Sequence, residues 1–457
     1  VPSTVATGPT RQARQARAAV AALFLTNGAV FFNVVPRYPQ IKADLDLSNA
    51  LLGASLAAFP VGALLAGLLA GAAIRRFGSA RVASFGIVLT AAATLLIPFA
   101  PHWIVFAAVL FVVGALDSIV DVAQNGHGLR VQRLYGRSIV NSLHGVWSIG
   151  AVLGGLMGAA AAGLDLPLAV HLTISATLFS LVALVAYRFT LPGPEDAERT
   201  PEAVTAPIGE PAAATPPSPP ADPLFAAAPS SASADPLFVA APSSASADHR
   251  AATVASSAAP AEPRAGWRSF GGAALRMLAA LGVLAACGAL VEDAGSSWGA
   301  LYLTDLHASA ATAGLAVVAL QVAMTAGRLT GDRVVDRFGQ RTVVRAGGAL
   351  AAVGMGAALA VPSVPAALVG FALAGLGVAT LVPAAMHTAD ELPGLPPGTG
   401  LTIVSWLLRG GFLLSPPIVG VVADLTSLRV GLLTVVLAGV LTAILARVLV
   451  NRPPAHS

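Results

Sequence analysis

Gly71-Ala72-Ala73-Ile74-Arg75-Arg76-Phe77-Gly78-Ser79-Ala80-Arg81 lies between two long apolar runs of the chain. Asp336-Arg337-Phe338-Gly339-Gln340-Arg341 lies between two others. Both stretches carry Arg-Phe-Gly followed shortly by a second Arg, and each follows the second apolar run of its own half of the sequence. The same short basic turn at corresponding places is the mark of a parallel internal repeat. Two such halves, related by an axis along the membrane normal, place a solute site between them near the bilayer midplane.

Composition supports a lipid setting. Of 457 residues, 56% are apolar and 11% charged, with a mean hydropathy of +0.78. Soluble chains run at about 45–50% apolar and roughly 25% charged. Too few polar side chains remain to coat a water-facing domain, which excludes a cytosolic enzyme, a secreted disulfide scaffold and a free nucleic-acid binder. Cys287 is the single cysteine and sits in an apolar run, as a small core residue would. A single lysine among 26 basic residues, with heavy Ala, Gly and Pro usage, resembles the coding bias of a GC-rich bacterium.

A membrane span needs ~20 mostly apolar residues. Six fit the first half, at about 18–36, 50–74, 82–100, 103–127, 138–163 and 166–190. Six more fit the second, at about 271–300, 309–330, 342–361, 365–389, 399–423 and 427–450. The expected organisation is a tail (1–17), a six-helix bundle (18–190), a linker (191–268), a second bundle (269–450) and a tail (451–457). With both termini inside, only Arg37, Lys42 and Arg429 fall outside and Arg409 falls within a span. Every other basic residue is cytoplasmic, as the positive-inside rule requires. The first span follows Arg11, Arg14 and Arg17 but has no small-residue cleavage pattern after it, so it reads as a retained helix.

The linker is rich in Pro, Ala and Ser and holds a tandem repeat. ADPLFAAAPSSAS (221–233) is followed by ADPLFVAAPSSAS (234–246). Such a segment buries too little apolar surface to offset its ordering entropy, and disorder is the expectation. A tolerated expansion is favoured over a docking role.

Together these features resemble the major facilitator superfamily of transporters. The family's loop pattern, Gly-x-x-x-Asp-Arg-x-Gly-x-Arg/Lys, appears as Gly71 through Arg81 with Arg75 in place of the acid. The second copy keeps the acid as Asp336. A narrower resemblance is to the bacterial inner-membrane branch near the fucose permeases. It rests on Arg37-Tyr38-Pro39-Gln40-Ile41, Asp121 to Asn125, Ser142 to Ser148, and Gly327-Arg328 to Asp332-Arg333. Gln132 stands where that branch often has an acid. The resemblance implies twelve helices in two pseudo-symmetric bundles, an all-α membrane protein that is not an enzyme and needs no cofactor or metal. It also implies that the seventh helix breaks near Gly295, Ser296 and Ser297 to line a cavity. Arg75, Arg76, Arg81, Arg328, Asp332, Asp336, Arg337 and Arg341, with the turn glycines Gly71, Gly78 and Gly339, fall to the gate and loop motifs.

Ionisable side chains in a span cost ~2.5–3.5 kcal/mol each and so need a partner, a cavity or a role. Asp117, Asp121 and Asn125 share one face of span four, and His144 lies at the depth of Asp121. Asp121 with His144 can take a proton, or Asp121 can latch onto Arg75 or Arg76; for Asp117 the proton role leads. Glu292 and Asp293 on span seven complete the proton-coupling candidates. Arg409 on span eleven is expected to pair with one of them, the alternative being direct contact with an anionic solute. Arg328 with Asp332 reads as an i, i+4 gate pair. Asn33, Asn125, Trp147, Trp298, Gln321 and Arg409 are the substrate-binding candidates, with Asn27 beside them.

The sequence therefore points to a monomeric, proton-coupled secondary transporter of a small solute in the bacterial cytoplasmic membrane. Efflux of a hydrophobic metabolite or drug is the alternative within transport. A non-transporting receptor or scaffold is the alternative outside it, and the ionisable clusters in both halves argue against that.

Overall fold

The computed structural model describes residues 9–136, 138–195, 197, 272–392 and 399–449. The tandem copies at 221–246 lie outside the described residues, as do the expected tail at 451–457 and the linker from 198 onward. Among the described residues, twelve helices are long and apolar enough to cross a membrane. In the first half these are Arg11–Asp44, Asn49–Gly67, Ser79–Phe99, Trp103–Tyr135, Ser142–Gly163 and Leu168–Tyr187. In the second they are Ala274–Asp305, Ala310–Phe338, Gln340–Ala360, Val364–Asp390, Thr399–Leu425 and Leu428–Val448.

Three local devices recur at matched positions in the two halves. Gly78 (φ 85°, ψ 145°) and Gly339 (φ 81°, ψ 144°) separate the second from the third helix of each half. A positive φ strains any residue with a Cβ, so glycine is required at both turns. At the preceding corner Asp46 (φ 48°) and His307 (φ 62°) take the left-handed conformation. Two residues on, Ser48 accepts the Leu51 N–H at 3.2 Å and Ser309 accepts the Thr312 N–H at 3.3 Å, each capping the next helix. The backbone repeat is thus wider than the basic turn that announced it.

The helix carrying the gate motif is not one straight rod. Asn49–Gly67 ends, and a separate short helix, Ala70–Phe77, carries Arg75 and Arg76. The fourth span runs on to Tyr135, well past the expected end near 127. The seventh is a single helix, Gly272–Asp305, which corrects the expected break near Gly295. Gly295 serves close packing instead: a Cβ there would press on Leu320 and Phe371.

The halves meet along two antiparallel seams, the second span against the eleventh and the fifth against the eighth. On the side away from the basic turns (the far side), the seams are tight. Asn49 and Ala50 donate to Asp424 across the first. In the second, a Cβ on Gly314 would stand 2.6 Å from the Ala159 Cβ, and one on Gly163 2.5 Å from the Ala311 Cβ. Toward the turn side Asp121 and Arg409, one from each half, are exposed even though both sit within spans, and across the second seam a Cβ on Gly145 would stand no closer than 3.8 Å to Leu329. The result is a cleft closed on the far side.

The expected linker begins too early. Leu191 is buried and its N–H donates to His127 Nε2 at 3.1 Å. Arg130, 1% exposed, holds the Pro192 carbonyl at 3.1 Å and Glu195 at 3.5 Å. Glu195 Oε1 also accepts the Ser79 N–H at 2.7 Å, at the start of the third span. Residues 191–195 therefore belong to the first bundle.

Candidate functional site

Polar side chains of the fourth and fifth spans converge on the cleft at mid-depth. Trp147 Nε1 donates to Asn27 Oδ1 at 2.9 Å, and Asn27 Nδ2 donates to Asp117 Oδ1 at 2.8 Å. The indole fixes which way the amide faces, and the amide then fixes one carboxylate oxygen. Asp117 is half-buried. The place of Asn27 between an acid and an indole on two other spans is invisible to spacing within one helix.

One turn toward the basic side, Asn125 Nδ2 donates to Asp121 Oδ1 at 3.0 Å, and Asn125 Oδ1 meets His144 Nε2 at 3.1 Å. Asn125 thus bridges the acid and the imidazole, whose closeness the matched depths anticipated. No ion pair joins Asp121 to Arg75 or Arg76 among the described residues. Both arginines are exposed, and Arg76 lies over the Phe77 ring at 5.6 Å, so the expected latch is absent here.

On the second half, Glu292 pairs with Arg328 at 3.3 Å. This corrects two expectations at once. Arg409 is not the partner of Glu292 or Asp293, and Arg328 does not pair with Asp332. The physical reason is that Glu292 faces the eighth span, while Asp293, one residue on, points a different way and accepts from Ser297 Oγ at 3.2 Å. Arg409 itself makes no ion pair or hydrogen bond among the described residues.

Other candidates lie away from the cleft. Asn33 is buried and bonds His171 Nε2 at 2.8 Å, joining the first and sixth spans. Trp298 and Gln321 are fully buried under the far-side seal, and neither the indole N–H nor the amide has a partner among the described residues. Gln132 has a structural use: its Oε1 accepts the Ile139 N–H at 2.9 Å and the Val140 N–H at 3.3 Å, capping the fifth span. An acid is not needed there for that job. Gly78, Gly339 and the arginines of the two turns form the turn-side rim. Arg81 reaches Tyr187 at 3.4 Å and Arg341 holds the Leu449 carbonyl at 2.9 Å, each tying its turn to the last helix of its half.

Residues 20–298 and 283–457 match the Major Facilitator Superfamily. Membrane protein MosC of Rhizobium meliloti is 29% identical over 421 residues, 92% of this chain and 86% of that protein. Among solved structures, the nucleoside transporter NupG superposes with a TM-score of 0.64 at 12% identity, covering 96% of this chain and 98% of that one. A bacterial homolog of the human lysosomal transporter Spinster, solved inward-facing and unoccupied, also gives 0.64, at 16% identity over 98% of this chain and 100% of that one. At such identities the structural likenesses speak for the fold alone.

Proposed function

The chain belongs to the major facilitator superfamily and is a multi-pass membrane transporter; on that premise we propose that it couples movement of a small solute to protons by alternating access. The basic-turn side is then cytoplasmic, in a bacterial inner membrane, and the cleft described above is the inward-open state. One observation carries the coupling: the Trp147–Asn27–Asp117 chain holds an oriented carboxylate at mid-depth in a cleft closed on one side only. A lone acid in a span is costly to insert, and a site that can take up and release a proton as the cleft opens alternately gives that cost a use. Asp121, reached through Asn125 by His144, is the second protonatable group of the same wall. The carrier works as a monomer, since the site is complete within one chain.

The test uses proteoliposomes loaded with a pH-sensitive dye and challenged with small polar solutes. At least one solute is expected to evoke a proton flux, and Asp117→Asn to abolish it while solute counterflow survives. Loss of both activities together, or survival of both, would remove Asp117 from the coupling role.

A further inference from the structure

We infer that the solute is a small zwitterion, its cationic group against Asp117 and Asp121 of one half and its anionic group against Arg409 of the other. This rests on the transporter reading above and gives that site its substrate class. Within the cleft, Glu292 and Arg328 satisfy each other at 3.3 Å. Asp293 turns aside to Ser297 at 3.2 Å with its second oxygen buried, so the charges left facing the cleft stand on opposite walls: two carboxylates on the fourth span and one guanidinium on the eleventh. Asp117 is committed through one oxygen only, to Asn27 at 2.8 Å. Arg409 is exposed and has neither ion pair nor hydrogen bond among the described residues, so its donors are open to a solute in the cleft. Arg409 lies two turns before Pro416, on the same helix face, and Pro416 packs on Gly53 of the second span, so Arg409 is on the face turned toward the first half.

Charge balance separates the solute classes. With His144 neutral, Asp117, Asp121 and Arg409 together carry one negative charge. One bound proton cancels it, and a zwitterion adds nothing, so the loaded carrier can close around its cargo uncharged. A simple anion bound with the proton restores the negative charge. A simple cation takes the proton's place and leaves Arg409 without an anion, and a neutral polyol leaves it with hydrogen bonds but no ion pair. A solute with both charges forms an ion pair with each wall, where a neutral polyol offers only hydrogen bonds, and by bridging the walls it draws the two halves together.

The experiment is thermal stabilisation of the purified full-length protein. The panel holds the common amino acids and glycine betaine, the methyl ester of each (no anion), the matching hydroxy or deamino acids (no cation), and neutral polyols. At least one zwitterion is expected to stabilise, with each of its charge-deleted partners weaker by about tenfold or more. Arg409→Gln should reduce the zwitterion to the level of its ester and leave the ester unchanged, while Arg409→Lys keeps part of the preference. The ligand pairs test the idea even where a variant fails to fold. A polyol, simple cation or simple anion as the strongest stabiliser overturns the zwitterion inference and leaves the transporter reading standing. Silence across the panel overturns the inference, and silence in the solute-evoked proton assay as well overturns the transporter reading with it.

Discussion

The Asp424 carboxylate meets the Asn49 backbone N–H at 2.8 Å across the far-side seam, and its second oxygen takes the Ala50 N–H at the same distance. An acid from one half therefore caps the start of a helix in the other, where the exposed N–H groups and the helix dipole favour a negative charge. Every contact in this cap is lost if the far side opens.

Asp424→Asn should consequently weaken the far-side seal by about 1 kcal/mol, a several-fold shift in population. The readout is maleimide labelling of a cysteine placed at the buried Ser55, in a Cys287→Ser background. Labelling from the far side should quicken several-fold. An unchanged rate would mean that the cap does not contribute to the seal.

The turn glycines make a paired prediction. Gly78→Ala and Gly339→Ala each force a Cβ into a backbone with φ above 80°. Each should cost about 1–2 kcal/mol, and because the sites lie in different halves the double variant should show the sum. Melting temperatures of the purified variants decide it. A neutral effect at either turn would contradict the strain argument.

For the cleft pair, Arg328→Ala should destabilise by stranding Glu292, whose side chain is only 16% exposed. Arg328 is 37% exposed, so water blunts the loss to well below that of a fully buried pair. Adding Glu292→Gln should restore part of the melting temperature. No recovery in the double variant would place the cost of Arg328→Ala elsewhere than in this pair.

Arg130→Ala should be worse tolerated. It removes a fully buried guanidinium that holds Pro192 and Glu195, and with them the anion that caps the third span. About 1.5–3 kcal/mol is expected from the charged hydrogen bonds alone. Limited proteolysis should also cut sooner after Tyr187. If cleavage and melting match the parent, residues 191–195 are not held by this contact.

The twelve spans and the duplicated turn were legible because both are written locally: apolar length gives a span, and Arg-Phe-Gly gives a turn. The superfamily followed from them, while the nearness to the fucose permeases rests on motif residues alone. Site chemistry was legible only within a helix. Asp117, Asp121 and Asn125 sit on one face as their spacing requires, and His144 stands opposite at the anticipated depth. Partners across helices depend on azimuth, which a one-residue step turns by 100°; that is why Glu292 and Asp293 face different neighbours and why the Arg409 pairing failed. The break expected in the seventh span failed for a related reason. Gly295 and its serines permit a kink, but packing against Leu320 and Phe371 uses the small residue differently.

An unbroken seventh span has a mechanical consequence. Thirty-four residues of continuous helix (Gly272–Asp305) make a strut about 50 Å long. In this structure it has no joint, so a tilt is carried along its whole length. Any tilt that frees its Asp305 end swings its Gly272 end the opposite way, like an oar in a rowlock.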